Sequence, residues 1–509
     1  MFEKKRKIEE ISSSSMVSIV HLPPHLSFER PPHKRINIDM ISYLPDNVLN
    51  HILSFLSTED AIKTSILSTK WRYLWTYLSV FDFYSIWPNR ICSLLHEITT
   101  LIDKSNHHQI EIKRLTIRIP EPEVPLDAHK VASLVTSLLT LQIIDLQFRI
   151  NGKEHLKTSC MLPRRFSPSY SLTKLHLHIG GYALHIPNGI HIQFPSLKTL
   201  NLSYATFENE ESVEQFFSGF PVLEELTLYH CYWLFMDHIT IAISTLRMLT
   251  IHVDPYSLND CNDNEEMSLK IDCVNLLSLT CISDPTIQFV IVKPPTSLLD
   301  AYIAFSLHST EQYMEYAAEY VSRCAVGLLS GLASVKSLTL SEGTFIEPPD
   351  IDDHFHLLPK FHNLTHLCLH LETNFFTRKS FMQFLLRCPK LEVLAFPLGY
   401  YTFKDNDDWA LIPLPCCFKS SLKKLHITNF DGFACEIQFV EFFLENATVL
   451  EEFQISLSCS RRSKYNSKNL ADLKNRFVGM GSCDIQFRSS EYEIKTYLSC
   501  EKCCFTYVF

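Results

Sequence analysis

Apolar residues return along this chain as a triplet of the form L-x-x-L-x-L. The clear copies are Leu172, Leu175, Leu177; Leu197, Leu200, Leu202; Leu223, Leu226, Leu228; and Leu246, Leu249, Ile251. A second group follows at Val335, Leu338, Leu340; Leu364, Leu367, Leu369; Leu391, Leu394, Phe396; Leu422, Leu425, Ile427; and Leu450, Phe453, Ile455. First residues of successive triplets lie 25, 26 and 23 apart in the first group and 29, 27, 31 and 28 apart in the second. Weaker copies at Ile112, Leu115, Ile117; Ile143, Leu146, Phe148; Leu276, Leu279, Cys281; and Leu298, Ala301, Ile303 bring the total to about thirteen units. Self-similarity at this period marks a repeat array in which each unit supplies one short parallel strand. The L-x-L pair points inward because alternate residues of a strand share a face. Residues 212–217 and 379–386 read as return helices. Prolines at 195, 221 and 389 stand just before strands, where they end the return segment without removing a ladder hydrogen bond.

The period changes over residues 41–78. Pro45 suits a first helical turn, and Val48, Leu49, Ile52, Leu53 and Leu56 then recur at helical spacing. Ser57 and Asp60 have the spacing of a helix-start box, opening a second helix through Ala61, Ile62 and Ile66. A third begins near Ser68 and carries Trp71, Leu74, Trp75 and Leu78 as one stripe. Three helices in about forty residues cannot bury that much apolar surface among themselves. Part of it calls for a partner.

These residues carry a resemblance. Leu44-Pro45-Asp46, Val48-Leu49, Ile52 to Leu56, Asp60-Ala61, Thr64-Ser65, Leu67-Ser68, Trp71-Arg72 and Leu74-Trp75 resemble the F-box of plant F-box proteins. The resemblance implies docking onto a Skp-type adaptor and, through it, a cullin. Leu44, Pro45, Val48, Leu49, Ile52 and Leu53 are then the expected adaptor-binding residues, with Trp71, Leu74 and Trp75 shared between packing and contact. The phrases Phe194-Pro195-Ser196-Leu197, Phe220-Pro221-Val222-Leu223 and Cys388-Pro389-Lys390-Leu391 resemble the irregular repeats of plant F-box/leucine-rich-repeat proteins. Leu422 to Leu425, Asn429-Phe430, Phe439 to Ala447 and Leu450 to Glu452 are similar to their C-terminal FBD region.

The expected organisation is a leader over 1–38, an F-box over 39–80, an irregular solenoid over 81–417, an FBD-like region over 418–490 and a tail over 491–509. The fold class is α/β: a three-helix F-box, then a leucine-rich-repeat solenoid with a parallel sheet on the concave face and helices on the convex face. The resemblance implies a substrate-recognition subunit of an SCF-type ubiquitin ligase, without catalytic residues or cofactor. The alternative is an interaction scaffold with no ligase role. On the concave face, the row between the paired leucines is the expected substrate surface: His176, Asn201, Thr227, Thr250, Thr280, Tyr302, Thr339, Cys368, Ala395, His426 and Gln454. Acidic inserts at 259–266 and 346–356 offer a meeting place for a basic partner.

Composition narrows the remaining chemistry. At 509 residues the chain exceeds one hydrophobic core, which suits an array. A net charge of -10 argues against a nucleic-acid surface spread over the molecule, with residues 461–464 as the best candidate for a local basic patch. No clean run of eighteen apolar residues marks a membrane span, and 131–144 reads as a buried helix leading into a strand. Seventeen scattered cysteines read as small buried thiols, and Cys500-x-x-Cys503 lacks a second ligand pair for zinc. His366, Cys368 and His370 alternate on one strand, too far apart for a shared metal. Nucleophile-elbow, phosphate-loop, dinucleotide and zinc-helix motifs are absent. A small-molecule receptor would need a basic cluster in the concave row, which holds none. Residues 4–7, Lys-Lys-Arg-Lys, have the form of a nuclear import signal, so the nucleus, the cytoplasm or both are expected.

Overall fold

The computed structural model describes residues 41, 43–84, 112–121, 126–152, 158–165, 169–233, 236–253, 267–283, 287–305, 323–341, 344, 357–370, 378–399, 413–458, 470–477, 479–480 and 483–489. Residues 4–7, 259–266, 346–356, 461–464 and 500–504, singled out above, lie outside them. The chain divides into two compact units, the first running to Pro120 with Leu141–Gln147, the second made of Glu121–Thr140 and everything from Phe148 onward.

In the first unit α1 spans Asp46–Leu53 and α2 spans Thr58–Lys63. Ser57 caps α2, its hydroxyl accepting from the Asp60 amide at 3.1 Å and donating to the Asp60 carboxylate at 2.9 Å. Asp46 begins α1 because Pro45, the residue before it, is extended at φ -58° and ψ 149°. The expected third helix is instead a 3-10 helix, Trp71–Tyr77. Three residues per turn bring Trp71 and Leu74 onto one buried edge, which the tighter helix serves better than the α form. The Lys70 ammonium donates to the Leu44 carbonyl at 2.7 Å, closing this turn on the start of α1. Strands β1 (Val80–Phe83) and β2 (Arg114–Ile119) pair in parallel, Phe81 opposite Leu115 and Phe83 opposite Ile117, and β3 (Asp145–Ile150) follows in chain order. The Asp82 amide donates to the Thr58 hydroxyl at 2.8 Å, joining α2 to β1.

The second unit is built on a parallel ladder of twelve strands among the described residues. In spatial order these are β5 (Lys174–Ile179), β7 (Thr199–Ser203), β9 (Glu225–Tyr229), β12 (Met248–His252), β14 (Ser278–Ser283) and β16 (Asp300–Phe305). The ladder continues through β17 (Ser337–Ser341), β18 (His366–His370), β19 (Val393–Phe396), β20 (Lys424–Phe430), β21 (Glu452–Leu457) and β22 (Asp484–Ser489). Leucines pair with leucines along it: Leu175, Leu200, Leu226, Leu249 and Leu279 stand in one line of register partners. Every residue of the nine clear triplets is buried.

Backbone hydrogen bonding repeats with the sequence. Before most of these strands a turn closes, as when the Leu197 amide donates to the Phe194 carbonyl at 3.1 Å and the Leu223 amide to the Phe220 carbonyl at 3.2 Å. The next two amides then share one carbonyl of the preceding unit: Glu224 and Glu225 both donate to Lys198, and Lys423 and Lys424 both donate to Glu392. At these junctions both amides find an acceptor, which lets neighbouring units stack with their donors satisfied.

The layer behind the leucines is mixed. Helices α3 (Ala128–Leu139), α4 (Glu210–Ser218), α5 (Arg378–Leu385), α6 (Cys417–Ser420), α7 (Ala434–Asn446) and α8 (Leu470–Phe477) occupy some return segments. In others strands replace helices. β4 (Thr158–Met161), β6 (Tyr182–Ile186), β8 (Ala205–Phe207) and β10 (Tyr232–Trp233) form a four-stranded parallel sheet, and β11 (His238–Ile241), β13 (Met267–Ile271) and β15 (Ile287–Ile291) a three-stranded one. Leu175 and Leu200 of the main ladder, Leu184 of β6, Leu139 of α3 and Phe216 of α4 line one small apolar cavity, which places these elements on the leucine side. Strands win here because the returns are short and alternate, buried then half-buried, through β6 and β15. Toward the C-terminus the filling is aromatic. Phe439 and Phe443 of α7 stand 6.3 and 6.5 Å from Phe381 of α5, and Phe443 4.9 Å from Phe418 of α6.

Candidate functional site

Two surfaces stand out, one in each unit. The first is on α1 and its flanks. Leu49 and Leu53, one turn apart, are wholly buried, together with Ala61, Trp71, Leu74 and Leu78. Val48 and Ile52, also one turn apart but on the neighbouring stripe, are each 38% exposed. Around them Tyr43 is 79%, Phe55 76%, Ile66 70% and Leu67 62% exposed. Ile41, Leu56, Tyr73 and Tyr77 are exposed as well. So much large apolar surface on so few residues marks an interaction site, since single monomers rarely leave it in water. Of the residues expected to meet an adaptor, Pro45, Val48 and Ile52 are exposed, Leu44 and Trp75 half-buried, and Leu49, Leu53, Trp71 and Leu74 buried in the unit's own core. The buried four hold the helices together, and Trp75 leans edge-on against Phe81 at 6.3 Å. Sequence reading passed over Tyr43, Phe55, Ile66 and Leu67 as surface. The signal was there in part: Val48, Ile52 and Phe55 fall at helical spacing beside the Leu49–Leu53 stripe.

The second surface is the face of the ladder opposite the leucines. The expected row is one continuous line of register partners, from His176 and Asn201 through Thr227, Thr250, Thr280, Tyr302, Thr339, Cys368, Ala395 and His426 to Gln454. Gln486 on β22 extends it. His176, Asn201, Thr227, Thr250, Thr339, Cys368 and His426 are half-buried, while Thr280, Tyr302, Ala395 and Gln454 are buried. Asn201 and the His176 ring meet at 2.7 Å. Tyr302 sits in a small buried cluster with Ile282 and Ala304, so it is packing rather than free surface.

Two residues further along each strand lies a row that sequence reading did not single out: His178, Ser203, Tyr229 and His252 are register neighbours. Tyr204 and His230, just past the ends of β7 and β9, join it. Its rings touch in sequence, His178 to Tyr204 at 5.4 Å, Tyr204 to Tyr229 at 6.3 Å, and Tyr229 to His252 at 4.6 Å. Burial, helped by the nearby Arg149 and His230, pulls the His178 imidazole down to about 4, so it is neutral at physiological pH. The available signal was the extended pattern L-x-L-H at Leu175 to His178 and L-x-I-H at Leu249 to His252.

Thiol chemistry is disfavoured where cysteines are buried. Burial pushes Cys160, Cys231 and Cys417 up to about 12 and Cys273 to about 11, far from thiolate at neutral pH. Among the described residues no group of three or more His, Cys, Asp or Glu is placed to hold a metal ion. No described helix is long and apolar enough to cross a membrane.

Comparison with known proteins matches these surfaces to named segments. The F-box domain family matches residues 41–83, the leucine-rich repeats of FBD-associated F-box protein At5g56370 match 131–286, and the FBD family matches 412–455. The F-box/FBD/LRR-repeat protein At5g22660 of Arabidopsis thaliana is 27% identical over 84% of this chain and 91% of its own length. F-box/LRR-repeat protein 13 of the same plant is 26% identical over 83% of this chain and 90% of its own. An F-box, leucine-rich repeats and an FBD region thus follow one another in this chain, the arrangement named in the Arabidopsis F-box/FBD/LRR-repeat proteins it is similar to.

Proposed function

We propose that this chain is the substrate-recognition subunit of an SCF-type cullin-RING ubiquitin ligase. The apolar surface around α1 docks onto a Skp-type adaptor and thereby a cullin, and the ladder holds a substrate protein. Ubiquitin transfer is carried out by other subunits, with no catalytic group drawn from this chain. The observation that carries the reading is the set of exposed residues Tyr43, Val48, Ile52, Phe55, Ile66 and Leu67 on a unit whose own core is already filled.

Burying a large apolar side chain contributes roughly 1.5–3 kcal/mol. A double change of Ile52→Asp and Phe55→Asp at these exposed positions removes two such contributions and adds two desolvated charges. Co-purification of the full chain with a Skp-type adaptor and cullin tests this. Capture by the wild type and not by the double variant supports the receptor reading. Failure of the wild type to capture adaptor leaves an interaction scaffold in its place.

A further inference from the structure

We propose that the ring cluster at the strand ends, His178, Tyr204, Tyr229 and His252 with Arg149 at its rim, anchors an acidic segment of the substrate protein. A carboxylate of that segment is held by Arg149 and His178, and its neighbouring apolar side chain lies on the Tyr229 and His252 rings. This rests on the receptor reading and places recognition two residues beyond the expected row.

The chemistry of the donors sets the sign of the partner. Arg149 is exposed and forms no ion pair among the described residues; its Nε donates to the Asn151 amide oxygen at 2.8 Å, which leaves its charge uncompensated. It follows Phe148 as His178 follows Leu177, so the two take equivalent places on neighbouring repeats, and the Gly180 amide donates to the Ile150 carbonyl at 2.8 Å beside them. The strand that carries Arg149 lies next to Lys174–Ile179 in the sheet, which sets Arg149 beside His178, and the guanidinium adds to the burial that opposes protonation of the imidazole. The His178 ring nitrogens make no hydrogen bond among the described residues. A neutral, half-buried imidazole N–H beside a guanidinium is a two-point donor for a carboxylate.

The line of strand ends is also distinct in charge. From Arg149 and His178 through Ser203, Tyr229 and His252 to Ile282 it carries no carboxylate, in a chain whose net charge is -10. The line of strand starts, by contrast, carries Glu225, Asp300, Glu452 and Asp484 together with Lys174 and Lys424, and Lys424 pairs with Glu452 at 2.8 Å. An acidic segment therefore meets no carboxylate along the strand ends.

The platform is held in a costly shape. Tyr204 and His230 adopt φ of 61° and 49°, a region bulky side chains rarely enter, and their rings stack at 5.5 Å with planes 11° apart. Tyrosine, with arginine at the rim, is the composition of interface anchors, which the polar row between the leucines, its buried Tyr302 apart, lacks.

The test uses the purified full chain and fluorescein-labelled short peptides of alternating Phe–Glu, Phe–Gln and Phe–Lys, read by anisotropy. The Phe–Glu peptide is expected to bind at least about tenfold tighter than the other two, with affinity falling as salt rises. Arg149→Ala and His178→Ala are each expected to weaken it by roughly tenfold or more, and Arg149→Lys to recover part of the loss. Equal binding of the Phe–Glu and Phe–Gln peptides, preference for Phe–Lys, no binding of any peptide, or indifference to Arg149→Ala overturns the proposal. Adaptor affinity is measured alongside for each variant. Its loss in the wild type would count against the receptor reading while leaving the peptide result to stand by itself.

Discussion

Val48 and Leu49 are adjacent and chemically alike, yet one faces water and the other is sealed inside the first unit. Leu49→Ala should therefore cost about 2–5 kcal/mol of stability, read as a lower denaturation midpoint, whereas Val48→Ala should leave the midpoint nearly unchanged and weaken adaptor capture. Sequence spacing put both on helix α1, but the division into inner and outer stripes depends on where α2 and the 3-10 helix pack, which spacing alone does not contain. Glu436 gives a second residue-scale prediction. Its carboxylate accepts the Phe433 amide at 2.7 Å and the Asp431 amide at 3.1 Å, closing the turn into α7. Burial pushes it up to about 7, Asp431 adding to the rise against the pull of the backbone donors. The folded chain keeps a proton that the unfolded chain, near the ordinary 4.5, gives up. Stability is thus fully present below that value and falls as pH rises from 4.5 to about 7, by at most about 3 kcal/mol from this group. Unfolding by denaturant across that window should show the slope in the wild type and a flatter curve in Glu436→Gln; parallel curves would contradict it.

At the scale of elements, the strands were legible because each triplet residue has one role, to fill the core. What was not legible was most of the return layer between β4 and β15, where, α4 apart, two small sheets stand in place of helices among the described residues. A stretch such as Tyr182–Ile186 alternates as a strand does, but it is too short to declare itself against the stronger triplet beside it. Where helices do form, local chemistry fixes them. Asn209 caps α4 by accepting the Ser212 amide at 2.8 Å while its own amide donates to the Ser212 hydroxyl at 3.2 Å. Asn209→Ala should cost about 1 kcal/mol in a thermal or chemical melt. At the other end of α4 Gly219 has an ordinary φ of -72°, but a Cβ there would come 2.4 Å from the Ile192 carbonyl oxygen. Gly219→Ala should then be destabilising by about 1–3 kcal/mol through the forced separation of two backbones. A neutral Gly219→Ala would mean that the return segment shifts freely.

Across the molecule, stability passes from neighbour to neighbour, since each repeat finishes the core of the one before it. The FBD segment obeys the same rule. Phe439 and Phe443 of α7 lie against Phe381, which belongs to an earlier repeat, and Phe439 lies 5.2 Å edge-on from Phe396 of β19. The sequence resemblance marks a region by name, while the packing makes it continuous with the array. The central claim concerns the other unit: its outward stripe, rather than its core, meets the adaptor. It is tested most directly by titrating purified Skp-type adaptor into the full chain by calorimetry, for the wild type and for Ile52→Asp with Phe55→Asp, with folding checked by circular dichroism. The account predicts saturable binding by the wild type and a loss of about a hundredfold or more in the folded double variant. Equal affinity of the two folded chains would contradict it.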